Sequence, residues 1–139
     1  MIAVEAMVIL AAVLDGPARA NAEAWRRRDP RWLAPPLWRS EVRNAMATMC
    51  RRERLTPEVA LKTFRVAERL IAEGTYEVES DHVLRLAFAS GCTAYDCEYV
   101  ALAEARGVKL LTADQQVLAA FPTIAVPFDD TESSSDRLT

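Results

Sequence analysis

TAYDCEYVALAEARGVKLLTAD, residues 93–114, decides the fold in a single pass. Thr93 is an N-cap residue, Asp96 falls in the first turn behind it, and Val100 and Ala103 continue the same helix face. Gly107 ends that helix, and Val108 to Leu111 is the strongest strand in the chain. Thr112, Ala113 and Asp114 then lead into a short helix reaching Ala120. A strand entered from one helix and left into another has no hairpin partner beside it. It needs crossover connections, and therefore a parallel sheet.

The same alternation extends outward. Toward the C-terminus, Thr123 to Val126 is a last strand. Toward the N-terminus, Asp81 to Ser90 is a helix closed by Gly91, and Tyr76 to Val78 is a strand. Thr56-Pro57 opens a helix that Gly74 ends, with the cap and the first-turn proline in their favoured places. Leu37 to Glu53 carries Trp38, Val42, Ala45, Met46 and Met49 at helical spacing behind the short strand Trp32 to Ala34. Ala18 to Arg28 and Met7 to Leu14 are helices, and Ile2 to Val4 is the opening strand. The expectation is an α/β fold: one domain over residues 1–128, with a parallel sheet flanked by helices. Residues 129–139 form an acidic tail expected to be disordered.

Composition removes several function classes. With 51% hydrophobic residues in 139, the chain can bury one real core. No apolar run is long enough to span a bilayer. The run Ala6 to Leu14 lacks a basic residue before it and has Glu5 instead, so a cytoplasmic protein is expected rather than a secreted one. Cys50, Cys92 and Cys97 match no Cys-x-x-Cys spacing and read as free thiols. His82 is the only histidine, which leaves no histidine-centred metal site and makes a serine triad rest on one surface residue. None of the four glycines builds a phosphate loop or a dinucleotide fingerprint. The net charge of −3 resides wholly in the tail. Residues 19–69 carry 13 basic and 6 acidic residues, an excess that suits an RNA backbone or, equally, solvated helix faces.

Four acids stand where open α/β sheets place their chemistry, at the carboxyl ends of strands. Glu5 ends the first strand, and Asp114 follows Val108–Leu111. Glu41 shares a helix face with Leu37 and Ala45, and Asp96 is in line with Val100 and Ala103. A carboxylate on a half-apolar face is costly to bury alone, and a divalent cation offsets that cost. Mg²⁺ and Mn²⁺ take carboxylate oxygens, and in phosphoryl chemistry they activate water and screen charge. Each acid also has a local reading. Asp96 could complete a capping box with Thr93, Asp114 could favour a helix start capped by Thr112, Glu41 could pair with Arg39, Arg43 or Arg52, and Glu5 could be a surface charge.

Four segments resemble the PIN-domain family in its order: MIAVEAMVIL (1–10), APPLWRSEVRNA (34–45), TAYDCEYVALA (93–103) and LLTAD (110–114), the last two most specifically. The resemblance covers about residues 1–128. It implies a sheet of about five parallel strands and RNA cleavage that depends on Mg²⁺ or Mn²⁺. Single-domain members of this size are mostly VapC-type toxins of type II toxin–antitoxin pairs, dimeric and held silent by a VapB-type antitoxin. Carried over, Glu41, Asp96 and Asp114 are catalytic metal-site acids with Glu5 in the first position, and Thr112 is their polar neighbour. Position 5 is Glu where the family has Asp, and position 7 is Met where it usually has a polar side chain. These two departures define the competing expectation, a PIN-like module that binds RNA or antitoxin with weak or no catalysis. A receiver-like signalling domain would want an acidic pair after the first strand, and a haloacid-dehalogenase-like phosphatase would want Asp-x-Asp; Glu5-Ala6-Met7 supplies neither.

Overall fold

The computed structural model describes residues 1–130. In chain order these form β1 (Ile2–Val4), α1 (Ala6–Val13), α2 (Arg19–Arg28), β2 (Trp32–Leu33), α3 (Leu37–Arg51) and α4 (Pro57–Ile71). They continue through α5 (Ser80–Ser90), α6 (Ala94–Arg106), β3 (Leu110–Thr112), α7 (Gln115–Ala120) and β4 (Ala125–Pro127). A 3-10 turn, Phe128–Asp130, follows, and its first carbonyl accepts bonds from Asn21 Nδ2 at 2.6 Å and Trp25 Nε1 at 2.8 Å. The expected disordered tail lies outside the described residues from position 131 onward.

All strand pairings are parallel, and the sheet runs β2-β1-β3-β4. Helices cover it, so β1, β2 and β3 are buried along their whole length. That double cover explains why these strands read as continuous apolar runs rather than alternating ones. The caps expected from sequence form. Thr56 Oγ1 accepts from Val59 N at 3.3 Å, and Gly91 and Gly107 close α5 and α6 at φ 75° and 65°, which a side chain would disfavour.

One expectation is corrected. Residues 76–78 are not a strand: the chain makes a single parallel bridge, Ala34 to Thr75, beside β2. The approach there is so close that a Cβ on Gly74 would stand 1.9 Å from the Trp32 carbonyl oxygen. Ala34 N donates to Gly74 O and Tyr76 N to Ala34 O, and the pairing ends there, leaving the described sheet with four strands. The tryptophans and methionines concentrated between residues 25 and 49 are of types that also favour interface cores, and here they pack into the core of the chain itself. Trp25, Trp32, Trp38 and Met46 are all buried, with Trp38 stacked on Phe64 at 5.7 Å. The three cysteines are free, and His82 is a surface residue bonded to Glu104 at 2.6 Å.

The chain leaves β1 for β2 on one side and later places β3 on the other. Connections that depart in opposite directions open a crevice at the carboxyl ends of β1 and β3. Register sets Val4 opposite Leu111, so the residues just beyond, Glu5 on one strand and Thr112 to Asp114 on the other, meet at that crevice.

Candidate active site

Glu5 is the hinge between β1 and α1. Its amide donates to Leu111 O at 3.2 Å, its carbonyl starts the helix, and its side chain makes no cap bond. The carboxyl is instead turned into the crevice, where the Ala113 amide donates to it. Burial pushes its pKa from an ordinary 4.5 to about 7, against the Ala113 bond, and the fields of Glu41, Asp114 and Asp96 push it further the same way. The structure therefore brings all four sequence-selected acids into one electrostatic neighbourhood.

Glu41 reaches this neighbourhood from α3. Tyr99 Oη donates to its Oε1 at 2.6 Å. Burial raises the Glu41 pKa, the Tyr99 bond opposes that, and Asp96 adds repulsion. None of the basic partners considered for Glu41 holds it. Arg43 bonds Arg39 O and Ser40 Oγ, and Arg39 lies over the Trp38 ring.

Asp96 sits in the first turn of α6, where Thr93 Oγ1 accepts from its amide at 3.0 Å. Thr93 thus caps the helix, while the Asp96 carboxylate returns no bond to it among the described residues. Asp114 is itself the N-cap of α7: its Oδ1 accepts from Gln116 N at 2.9 Å and Val117 N at 3.3 Å, which leaves Oδ2 without a backbone donor. Thr112, 1% exposed, accepts from the Asp114 amide at 3.0 Å and fixes the turn that carries it.

Sequence reasoning passed over Tyr99. Its hydroxyl accepts from the Ala6 amide and donates to Glu41, so one buried phenol ties the first turn of α1 to α3 and α6. Burial, then Glu41, hold that phenol protonated, as a donor must be. The available signal was its position three residues after Asp96, on the same helix face. Glu98 was passed over too; burial, then Glu41 and Glu77, raise its pKa.

A cavity of about 410 Å³ opens at this place, lined by Glu5, Met7, Ser40, Glu41, Asn44 and Tyr95 among others. Asp96 and Asp114 act on Glu5 from outside that lining. No described Lys or Arg forms an ion pair with any of the four acids. Mutually repelling carboxylates without a basic partner are a donor set for a hard cation. Among the described residues no three acidic, histidine or cysteine groups stand close enough to grip one ion together. A hard cation placed here would take few direct carboxylates and keep several waters in its shell.

Known proteins align with this geometry. The PIN domain matches over residues 2–122. The chain is 35% identical over 115 residues to ribonuclease VapC9 of Mycobacterium tuberculosis, which covers 82% of this chain and 86% of that protein. It is 52% identical to ribonuclease VapC3 of Pyrobaculum aerophilum over 42 residues, 30% of this chain and 32% of that one. The crystal structure of PAE2754 from Pyrobaculum aerophilum superposes with a TM-score of 0.75 at 25% identity, covering 99% of this chain and 95% of that one. The parallel sheet, the order of its motifs and these matches agree: the chain belongs to the PIN-domain family, among its VapC relatives.

Proposed function

We propose that this protein is a Mg²⁺- or Mn²⁺-dependent ribonuclease and the toxin of a type II toxin–antitoxin pair. The observation that carries the reading is Glu5, a half-buried carboxyl raised to about pKa 7 among three other acids. Isolated, that arrangement destabilises the fold; a hard cation removes the penalty, and phosphodiester hydrolysis uses such a cation.

Glu5, Glu41, Asp96 and Asp114 would hold the ion between them, no more than two directly and the others through its bound waters. Bound there, it would lower the pKa of a water and screen the charge that develops on the phosphoryl group. The chain itself supplies position. The Ala113 amide orients Glu5, Tyr99 orients Glu41, Thr93 sets the turn bearing Asp96, and Thr112 sets the turn bearing Asp114. The basic excess of residues 19–69 includes the exposed Arg43, Arg51 and Arg52, which can attract an RNA backbone toward a site that is otherwise acidic.

A VapB-type antitoxin and a second copy of the chain are the proposed partners. An apolar cavity of about 440 Å³ between α3 and α4, lined by Met46, Leu61 and Phe64 and edged by Arg43 and Arg65, suits an amphipathic acidic segment of the antitoxin. No described helix is long and apolar enough to cross a membrane, and action in the cytoplasm is part of the proposal.

The test is cleavage of single-stranded RNA by antitoxin-free protein, with Mn²⁺ and with excess EDTA. Cleavage that persists in EDTA, or that survives loss of both Asp96 and Asp114, refutes the assignment. A second reading, a catalytically weak binding module, is favoured by the lack of a ready three-ligand group among the described residues. It expects Glu5→Asp and Met7→Ser to raise a low activity.

A further inference from the structure

Two large apolar side chains stand exposed at the acidic cavity, and nothing in the chemistry above uses them. Met7, 53% exposed, comes from the first turn of α1, two residues after Glu5; Tyr95, 64% exposed, comes from the first turn of α6, next to Asp96. Both line the same cavity as Glu5 and Glu41. Other tyrosines of the chain engage their hydroxyls, Tyr99 with Glu41 and Tyr76 with Arg31, whereas the Tyr95 hydroxyl has no hydrogen-bond partner among the described residues. The Tyr95 ring is held on a rigid element, because the Thr93 cap fixes the turn that bears it.

This matters for how a nucleic acid could stay at the site. The wall of acids repels a phosphate backbone unless cations intervene, so part of the binding energy must come from groups that do not feel that charge. Nucleobases supply it by stacking on aromatic faces, and a thioether is a soft, polarisable surface that packs well against a π-system. A thioether is a poor ligand for a hard cation, so Met7 beside Glu5 contributes little to holding an ion there. The exposed Ser40 and Asn44 on the same cavity offer hydrogen bonds at base edges.

We propose that Met7 and Tyr95 form an apolar seat for one unstacked base of single-stranded RNA, next to the phosphate that the acids address. The proposal rests on the ribonuclease reading. It makes Tyr95 the principal base-contacting residue, with Met7 closing the seat from α1. Ring faces tolerate every base, so the seat contributes affinity more than sequence preference.

The experiment measures fluorescence anisotropy of a short labelled single-stranded RNA in Ca²⁺. An abasic ribose-phosphate strand of equal length serves as the second probe, and KM and kcat for cleavage are taken in Mn²⁺. Tyr95→Ala should weaken RNA binding about 10-fold, within the range of one lost stacking contact. Met7→Ser should weaken it several-fold, and Tyr95→Phe should leave it near the native value. The abasic strand should bind all variants alike, and the cleavage defect should fall on KM more than kcat. Thermal melts should coincide, since both side chains are exposed.

RNA binding by Tyr95→Ala and Met7→Ser within twofold of native overturns the seat. So does an equal loss on the abasic strand, or a loss in Tyr95→Phe as large as in Tyr95→Ala. Unchanged RNA binding with weakened hold on a co-purified antitoxin also overturns it, and assigns the pair to a protein interface. A native protein that neither binds nor cleaves RNA overturns the ribonuclease reading, and the seat with it; a native protein that binds beside unaffected variants overturns the seat alone. Met7→Ser also separates this proposal from the weak-module reading, which expects that change to raise activity.

Discussion

Replacing Glu5 by Gln should stabilise the metal-free protein at alkaline pH. The Glu5 carboxyl titrates near 4.5 in the unfolded chain and near 7 in the fold. Below pH 4.5 both states hold the proton and the residue is neutral to stability. Between those values the unfolded chain ionises first, so the folded state is the one that binds more protons, and its stability falls as pH rises. Above about 7 the full penalty applies. At ~1.36 kcal/mol per tenfold change in proton affinity the displacement corresponds to about 3 kcal/mol. Partial solvent access and side-chain relaxation reduce this, so about 1–2 kcal/mol is expected in practice. Gln keeps the shape and still accepts from the Ala113 amide, but it carries no charge for Glu41, Asp96 and Asp114 to repel.

The assay is urea unfolding of native and Glu5→Gln protein in EDTA from pH 4 to pH 8. The two stabilities should converge near pH 4, and the variant should lead by about 1–2 kcal/mol at pH 8, or roughly 3–8 °C in Tm for a domain of this size. Millimolar Mn²⁺ should then favour the native protein, because an ion that binds only the folded state stabilises it by mass action. A gap that does not change with pH, or a variant less stable than native at pH 8, would refute the claim that Glu5 is a penalised acid.

Asp96→Asn and Asp114→Asn should each lower metal-dependent RNA cleavage by about 10²-fold or more, the scale of losing one strong electrostatic stabiliser; initial rates in Mn²⁺ measure it. Tyr99→Phe should cost about 1–3 kcal/mol in urea unfolding, because it leaves the Glu41 carboxyl and the Ala6 amide unpaired in a partly buried place. Gly74→Ala should cost about 3 kcal/mol or more, since its Cβ would meet the Trp32 carbonyl at 1.9 Å and that oxygen belongs to a strand that cannot move cheaply. The same unfolding assay reads it, and a loss within a few tenths of a kcal/mol would show that the bridge beside β2 is loose.

The sequence by itself determined what is written into a few neighbouring residues. Thr56-Pro57, Thr93, Gly91 and Gly107 delimit helices because capping bonds and left-handed turns are local, so the alternation of helix and strand was legible along the chain. The four acids were legible for a similar reason: each stands at a strand end or on a helix face whose periodicity is read from adjacent positions. Tertiary structure decided everything that depends on residues distant in sequence. That β1 lies between β2 and β3, and so opens the crevice at Glu5, is a matter of long-range pairing. Tyr76 to Val78 has strand-like side chains, yet beside Gly74 and Trp32 the pairing ends after one bridge. Trp25, Trp32 and Trp38 have the composition of an interface, and only their packing makes them a core. Tyr99 is an ordinary aromatic in a helix until Glu41, 58 residues away, receives its hydroxyl. Glu5 is an ordinary strand-end acid until burial and three other carboxyls raise its pKa to about 7. Desolvation and Coulomb repulsion depend on distance in space, and distance along the chain does not report it.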